Sequence, residues 1–177
     1  MLHGERVVLR EVRRAELPQV FAWRYDVDNW ALASAEPFVP VPFETFERIW
    51  TEDREGSDAR HASFGLEVEG RLVGTCLLWG IDSFNRLAHV GITIGSREAR
   101  GQGIGRDALA VLSDYGFRLH GLHRLQVDTL GTNEAMLRTA RSVGYREEGR
   151  LRGAAFVGGS FVDEVVLGLL ADEWHGR

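Results

Sequence analysis

The sequence predicts a mixed α/β (α+β) fold in which helices flank a mostly antiparallel central sheet. Three observations support this class. A β-branched run followed by helical spacing opens the chain, three strand-like segments follow one another between residues 62 and 95, and strands then alternate with helices. Consecutive strands joined by short turns pair antiparallel, so the three strands in the middle of the chain predict a mostly antiparallel sheet. A length of 177 residues with 44% apolar content suits a single domain over residues 1–177.

The early elements are a strand and two helices separated by a loop. The run "ERVVLREV" (5–12) predicts the first strand, and "RAELPQVFAWRY" (14–25) predicts a helix because its apolar residues recur at helical spacing. Residues 26–42 show no period and hold three of the four prolines, which predicts a long loop suited to a binding lid. The segment "FETFERIWTED" (43–53) predicts the second helix.

The remaining elements begin with an antiparallel meander. Its three predicted strands are "ASFGLEVEG", "RLVGTCLLWGI" and "NRLAHVGITIG". A helix to about His120 follows, with one apolar face formed by Ile104, Ala108, Leu112, Tyr115 and Leu119. The chain closes with the strand "HRLQVDTL", a helix from about Asn133 to Val143, and the strands "YREEGRLRG" and "SFVDEVVLGLL".

Composition excludes several classes of protein. A net charge of −5 argues against a surface that binds nucleic acid. The 21 basic residues can still form a local phosphate site. Cys76 has no partner for an intramolecular disulfide, and the first residues carry no apolar signal region. No apolar run is long enough to cross a bilayer, so we expect no membrane partner and a cytoplasmic location. No metal site is expected.

The segment "REARGQGIGRDALA" (97–110) is a glycine-rich loop that opens a helix. Such helix starts bind phosphate through unpaired backbone N–H groups. A Walker loop needs a Gly-Lys-Ser/Thr ending, which is absent here. A dinucleotide fold remains an alternative, since Gly103, Gly105 and Ala108 fit G-x-G-x-x-A and Asp128 follows about 20 residues later. The intervening residues 95–102 and the preceding meander argue against it. An ordinary glycine turn is the other alternative.

A more specific pattern covers the same loop. Arg100-x-x-Gly103-x-Gly105 resembles the acyl-coenzyme A signature Q/R-x-x-G-x-G/A of the GNAT superfamily of N-acyltransferases. The segment "NEAMLRTARSVGYREEGRLR" resembles the family's N-x-x-(A/S) … G-F/Y-x-x-E-G pattern, and "GGSFVDEVVLGLLADEW" is similar to the end of RimJ/RimL-type members. The resemblance spans most of residues 60–175. It implies acetyl-CoA, or another acyl-CoA, as the cofactor.

The resemblance also implies a sheet splayed between its fourth and fifth strands, with the pantetheine arm of the cofactor in the gap. Backbone N–H groups of residues 102–105 would then hold the pyrophosphate, with arginines close to its charge. For each arginine, an ordinary solvated charge is the alternative. The predicted cofactor loop consists of Arg97, Arg100, Gly101, Gln102, Gly103, Ile104, Gly105 and Arg106.

His89 is the predicted general base. It stands where many family members carry a glutamate, so the chain departs from the usual pattern here. A free histidine, with a pKa of about 6.5, accepts protons near neutral pH, so the role is retained. On a strand, His89 shares a face with Gly91 and Thr93. The alternative is a histidine that is only hydrogen-bonded on a half-buried strand.

Other predicted groups follow from the family pattern. The backbone N–H of Ile92 or Ile94 is expected to polarise the thioester carbonyl, and Asn133 to bind the cofactor arm, cap a helix, or do both. Many family members have a tyrosine at the position of Ala140 as the general acid, and some have a serine at the position of Met136. Neither Ala140 nor Met136 can donate a proton. A thiol has a pKa of about 8.5, so its thiolate can leave unprotonated. We expect Tyr145 and Cys76 to be core residues without a catalytic role.

The acceptor site is expected at the early loop and helix, together with the last hairpin around "GAAFVGGSF". Trp30, Phe38 and Trp79 are predicted to line an apolar pocket. Acidic residues outnumber basic ones in residues 24–55, which favours a cationic amine, although solvated helix faces explain most such runs. The predicted activity is acetyl transfer to a small-molecule or peptide amine. The alternative is an acyl-CoA-binding sensor with little catalysis, and a homodimer is one option for the oligomeric state.

Overall fold

The computed structural model describes residues 1–34, 36–55 and 61–176. Its described strands form one mixed, mostly antiparallel sheet in the order β1-β2-β3-β4-β5-β6-β8-β7, which confirms the predicted fold class. The strands are β1 (Leu2–His3), β2 (Val8–Arg10), β3 (Ala62–Val68), β4 (Arg71–Asp82), β5 (Leu87–Ile94), β6 (Arg124–Leu130), β7 (Arg146–Val157) and β8 (Ser160–Leu170). The helices are α1 (Leu17–Arg24), α2 (Val27–Ala33), α3 (Phe43–Glu55), α4 (Ile104–Asp114) and α5 (Glu134–Val143).

The sheet opens between β5 and β6, which are its parallel neighbours. The two strands pair only at the start of β5, where Leu87, Ala88 and His89 lie opposite Arg124, Leu125 and Gln126. Beyond His89 the strands diverge, and β6 continues against β8 while β5 continues against β4. These strands are the fourth and fifth of the predicted order, because the short β1 was not predicted. The splay therefore lies where the resemblance implied it.

The first predicted strand, residues 5–12, is too long. The observed β2 covers only Val8–Arg10, and β1 pairs with it across a turn. The turn is held from a distance by Asp107, whose carboxylate accepts hydrogen bonds from the backbone N–H groups of Glu5, Arg6 and Val7. These donors are therefore directed at α4 instead of at a neighbouring strand, which explains why β-branched residues here do not extend β2.

The predicted loop over residues 26–42 contains a helix. Asp26 caps α2, since its carboxylate accepts a hydrogen bond from the backbone N–H of Asn29. The three prolines of this segment all follow the helix, so they do not interrupt it. The segment was interpreted as a loop because a helix of only seven residues is too short to show a clear apolar period.

The helix after the glycine loop changes its winding at its end. Tyr115–Leu119 form a π-helical turn that continues α4. A π turn holds more residues than an α turn, so the following side chains rotate away from the α-helical face. Leu119, predicted on the buried face, is 68% exposed, and Phe117 is buried instead. The predicted face is correct for Ile104, Ala108 and Leu112.

Two apolar clusters support the sheet. The larger one packs the sheet against α4 and α5 and includes Leu78, Leu109 and Leu125, all fully buried. The smaller one joins α1 and α3 to the start of β4 through Val20, Phe46 and other apolar residues. The strands that carry the site are thus fixed on both faces. None of the described helices is long and apolar enough to cross a membrane.

Candidate active site

The glycine loop leads from the end of β5 into α4. Gly103 is the N-cap of α4 in the left-handed region, with φ of 80°, and Gly101 has φ of 75°. Both conformations favour glycine. The N–H groups of the first helical turn have no acceptor within the helix and carry partial positive charge, which makes this end of α4 suited to an anion. A Cβ added at Gly105 would lie 3.9 Å from side-chain atoms of Ile94 and Thr139, so this end of α4 borders the gap.

The predicted arginines differ in their surroundings. Arg100 donates a hydrogen bond from Nε to the Ile94 carbonyl and another from Nη2 to Asn29, at 3.0 and 2.7 Å, and so ties the end of β5 to α2. Arg97 is largely exposed, 3.8 Å from Asp28 at its closest approach. Arg106 is exposed on the first turn of α4. Gln102, also predicted here, donates through its side chain to the Glu98 carbonyl. Arg97 and Arg106 therefore have the more solvated guanidinium groups.

Arg6 is a basic residue beside the loop that no sequence motif indicated. Its Nε lies 3.9 Å from the position a Cβ would take at Gly103. Its backbone is anchored in place by the hydrogen bond from its N–H to Asp107, at 2.7 Å. Arg6 and Gly103 are far apart along the chain, so no local spacing pattern could have joined them.

The free edge of β5 faces the gap. The Ile94 carbonyl bonds to Arg100 and is therefore turned away from β4. In a regular strand the N–H and C=O of one residue point to the same side, and the side repeats every second residue. The N–H groups of Ile94 and Ile92 are therefore directed into the gap. These are the two donors that were predicted to polarise a thioester carbonyl.

His89 is held by Asp128 and Trp79 at the closed end of the gap. Its Nδ1 lies 2.6 Å from Oδ2 of Asp128 on β6, and its ring stacks on Trp79 with centroids 4.3 Å apart. Its exposed fraction is 25%. The other Asp128 oxygen, Oδ1, accepts a hydrogen bond from Gln126. Asp128 was considered above only for its spacing in the alternative dinucleotide pattern, so its contact with His89 was missed. The only signal for it would have been the pairing of β5 with β6.

A cavity of about 750 Å³ lies on the same face of the sheet as His89. Thr75, Leu77 and Trp79 of β4 line it, and these residues pair with Thr93, Gly91 and His89 of β5. The described part of its wall is strongly aromatic, with Trp23, Tyr25, Trp30, Phe46, Trp50 and Trp79. Two of the three predicted pocket residues, Trp30 and Trp79, thus line the cavity. The third, Phe38, packs behind Trp30 with ring centroids 5.7 Å apart.

The carboxylates around the cavity are fewer than predicted, and Arg24 is also among its lining residues. Among the described lining residues, Glu36 is the only carboxylate. Other acidic residues of this region pair elsewhere: Glu47 with Arg14, and Glu52 with Arg48. Solvated helix faces thus account for part of the acidic excess.

The predicted contribution of the last hairpin is not found. The described lining comes from residues before 94, and Phe156 and Phe161 at the hairpin instead pack on each other, 61% and 72% exposed. Apolar side chains this exposed, close together on one hairpin, form a patch separate from the cavity. Within residues 1–34, 36–55 and 61–176, no group of three or more His, Cys, Asp or Glu side chains is arranged to hold a metal ion.

The residues around Ala140 and Met136, where the family often places a hydroxyl, make contacts within the fold. Asn133 caps α5 by accepting a hydrogen bond from the Met136 N–H at 3.1 Å. Ala140 is fully buried, and Tyr145 is buried with its hydroxyl 2.9 Å from the Ser113 hydroxyl. Burial raises the pKa of Tyr145 and also that of the Cys76 thiol. These observations agree with the core positions predicted for Tyr145 and Cys76.

Comparison with known proteins connects this chain to acyl transfer. The family model described as "Acetyltransferase (GNAT) domain" matches residues 6–146. The "Putative ribosomal N-acetyltransferase YdaF" of Bacillus subtilis is 32% identical over 140 residues, covering 78% of this chain and 76% of that protein. The spermidine N(1)-acetyltransferase of Escherichia coli K12 is 29% identical over 156 residues, covering 88% and 81%.

Solved structures share the fold. The spermidine N-acetyltransferase of Vibrio cholerae, crystallised with CoA and spermine, superposes with a TM-score of 0.86 at 22% identity, covering 96% of this chain and 98% of that one. Another structure of the V. cholerae protein is described as dodecameric, with a TM-score of 0.80 at 23% identity and 96% of both chains covered.

Proposed function

Because the chain belongs to the GNAT acetyltransferase family, we propose that it transfers the acetyl group of acetyl-CoA to a primary amine, with His89 as the base. The observation that carries this proposal is the position of His89, which stands at the closed end of the gap and on the face of the sheet that lines the aromatic cavity. Acetyl-CoA and the amine can then approach the same side chain from two directions.

Family membership also decides between the earlier alternatives. The dinucleotide interpretation is wrong, because the family match includes the glycine loop and the strands before it are an antiparallel meander. An acyl-CoA sensor without catalysis gains no support, since the relatives described above are named as acetyltransferases.

The first turn of α4 suits the phosphates of CoA. Its N–H groups have no partner in the helix, and the glycines at 101, 103 and 105 leave them open to close approach. Arg97, Arg100 and Arg106, together with Arg6, would add positive charge around the pyrophosphate. Along the edge of β5, the N–H groups of Ile92 and Ile94 would polarise the thioester carbonyl as negative charge develops on its oxygen.

In the proposed reaction His89 accepts the proton that the amine must lose. The amine nitrogen forms its bond to the thioester carbon, and the carbon–sulfur bond breaks to release CoA as a thiolate. No side chain at Ala140 or Met136 can protonate that thiolate. CoA thiol is a weak acid, so its anion is a tolerable leaving group without one.

We propose a small cationic amine as the acceptor. The faces of Trp30 and Trp79 in the cavity would attract an ammonium group, and Glu36 would pair with it. The spermidine acetyltransferases among the relatives act on such amines. A peptide N-terminus would need a groove reaching beyond this aromatic wall, and it is the second class to test.

We also propose that the chain forms homo-oligomers. The exposed Phe156 and Phe161 on the last hairpin form an apolar patch that a second copy would cover, and the related V. cholerae protein has been described as a dodecamer. Sedimentation of the pure protein, with a Phe156→Ser, Phe161→Ser variant beside it, tests this. A monomer at all concentrations would contradict it.

The function is tested by measuring CoA release with a panel of amines: spermidine, an arylalkylamine, an aminoglycoside and a peptide with a free N-terminus. We expect turnover with a small cationic amine and a fall in kcat of about 10²–10⁴-fold in His89→Gln. His123→Gln, at an exposed histidine outside the site, is the matched control and should keep full activity. Full activity in His89→Gln would remove His89 as the base, and no turnover with any amine would contradict the proposed acceptor class.

A further inference from the structure

A continuous series of hydrogen bonds leads from the surface of the sheet to His89. Glu148 of β7 binds Arg124 of β6 through both carboxylate oxygens, at 2.7 and 2.5 Å. Nη2 of Arg124 donates to Oε1 of Gln126 at 3.0 Å, and Nε2 of Gln126 donates to Oδ1 of Asp128 at 2.8 Å. Oδ2 of Asp128 lies 2.6 Å from Nδ1 of His89.

The chemistry of each group fixes the direction of every bond in this series. A guanidinium only donates, so Gln126 must turn its oxygen toward Arg124 and its amide N–H toward Asp128. An ionised carboxylate only accepts, so Asp128 accepts from Gln126 with one oxygen and from His89 with the other. The Nδ1 of neutral His89 must therefore carry its proton. Nε2 is then the nitrogen with a free lone pair.

The ring edge that carries this nitrogen lies beside two residues of the cavity wall. Trp79 covers one face of the imidazole, with an angle of 23° between the rings. A Cβ at Gly80 would lie 3.3 Å from Cδ2, the atom bonded to Nε2. Gly80 and Trp79 both line the cavity. The Nε2 edge of the ring thus lies next to the cavity wall, opposite the edge held by Asp128.

We propose that Asp128 is a positioning residue for the acetyl transfer: it holds His89 in the tautomer that presents an unprotonated Nε2 to the acceptor amine, and Gln126 and Arg124 orient Asp128 for this purpose. The proposal rests on the function proposed above, in which His89 is the base. Asp128 itself touches neither acetyl-CoA nor the amine.

The decisive variant is Asp128→Asn, which keeps the size of the side chain and inverts its chemistry. Gln126 still donates to the side-chain oxygen, so the new amide N–H₂ faces Nδ1 of His89. Nδ1 then becomes the acceptor and the ring proton moves to Nε2, where it blocks proton transfer. An Asp-to-Asn change that forces a catalytic histidine into the wrong tautomer can lower kcat greatly while the geometry of the active site stays the same.

Two readouts separate positioning from a merely structural role. We expect kcat for Asp128→Asn to fall at least about 100-fold, close to the loss in His89→Gln, while the KM for acetyl-CoA changes less than about twofold. In ¹⁵N-histidine NMR spectra, the ring proton of His89 should lie on Nδ1 in the wild type and on Nε2 in Asp128→Asn, with His89→Gln used to assign the signal. Asp172→Asn, at an exposed aspartate, should change neither readout.

The outcomes distinguish this proposal from the proposed function. If His89→Gln loses activity but Asp128→Asn keeps it, Asp128 does not position the base and the function stands. If His89→Gln keeps activity, the base assignment falls and this proposal falls with it. If Asp128→Asn does not fold, the wild-type spectrum still decides, because a neutral His89 ring with its proton on Nε2 would overturn the proposal.

Discussion

At the scale of single residues, the burial of Cys76 bears on which of two routes produces the acetylated amine. A nucleophilic cysteine would form an acetyl-enzyme, whereas the proposed route has the amine attack directly. Cys76 is 1% exposed on β4, and burial alone raises the pKa of its thiol. We therefore expect native protein to resist a thiol reagent such as DTNB, and urea-unfolded protein to react at its single cysteine. Rapid reaction of the native protein, with loss of activity, would favour an acetyl-enzyme instead.

At the scale of elements, a buried ion pair joins β2, α1 and β3. Arg10 on β2 is 5% exposed and binds Glu16, just before α1, at 2.7 Å, and Glu67 on β3 at 2.5 Å. The hydrogen bond from Arg10 is the largest cause of a lowered pKa for Glu16. A carboxylate whose pKa is lowered by folding stabilises the folded state at pH values above its ordinary value of 4.5, and this stabilisation is lost as the pH falls through the lowered pKa.

We expect Glu16→Gln to lower the free energy of unfolding by about 1–3 kcal/mol at pH 7, because it leaves the buried Arg10 without one of its charged partners. Urea unfolding at several pH values measures this. The difference between wild type and variant should shrink as the pH falls below 4.5, since Glu16 itself becomes neutral there. Glu11→Gln, at an exposed neighbour, is the control. A difference that stays constant down to the acid transition would show that the charge of Glu16 is not the cause.

The elements that could be predicted are those with local causes. The meander, the glycine loop and α5 follow from turn residues, apolar period and the cap at Asn133, all of which are visible in a short window of sequence. The errors at β2 and at the end of α4 have causes that the apolar period does not show. Asp107 shortens β2 from about 100 positions away, and the π turn after Asp114 changes which residues face the core.

The same distinction holds for the candidate site. The loop and His89 were visible as a motif and a strand face. Asp128 and Arg6 became visible only when the fold joined β6 to β5 and the β1–β2 turn to α4. Pairings between distant segments are set by the whole sheet, so no spacing rule within one segment could have found them.

At the scale of the whole molecule, both sides of the gap rest on the same sheet. The larger apolar cluster holds α4 and α5 against the sheet, and the smaller one holds α1 and α3, which build the cavity. Gly105 lies on the first turn of α4, beside Ile94 and Thr139 and next to the position proposed for the cofactor. A Cβ there would meet only ordinary contacts, at 3.9 Å, so the first carbon of a side chain fits the free protein. The same side chain would project into the space proposed for the phosphates.

The most direct test of the account is calorimetric titration of acetyl-CoA into wild type, Gly105→Val and Gly149→Val, with NAD as the comparison ligand. Gly149 has open space around it, so its valine variant is the matched control. We predict saturable binding of acetyl-CoA, but not of NAD, by wild type and Gly149→Val, and binding at least about tenfold weaker in Gly105→Val, a difference of about 1.4 kcal/mol. Equal binding of acetyl-CoA by all three proteins would place the cofactor elsewhere, and no binding by the wild type would contradict the account as a whole.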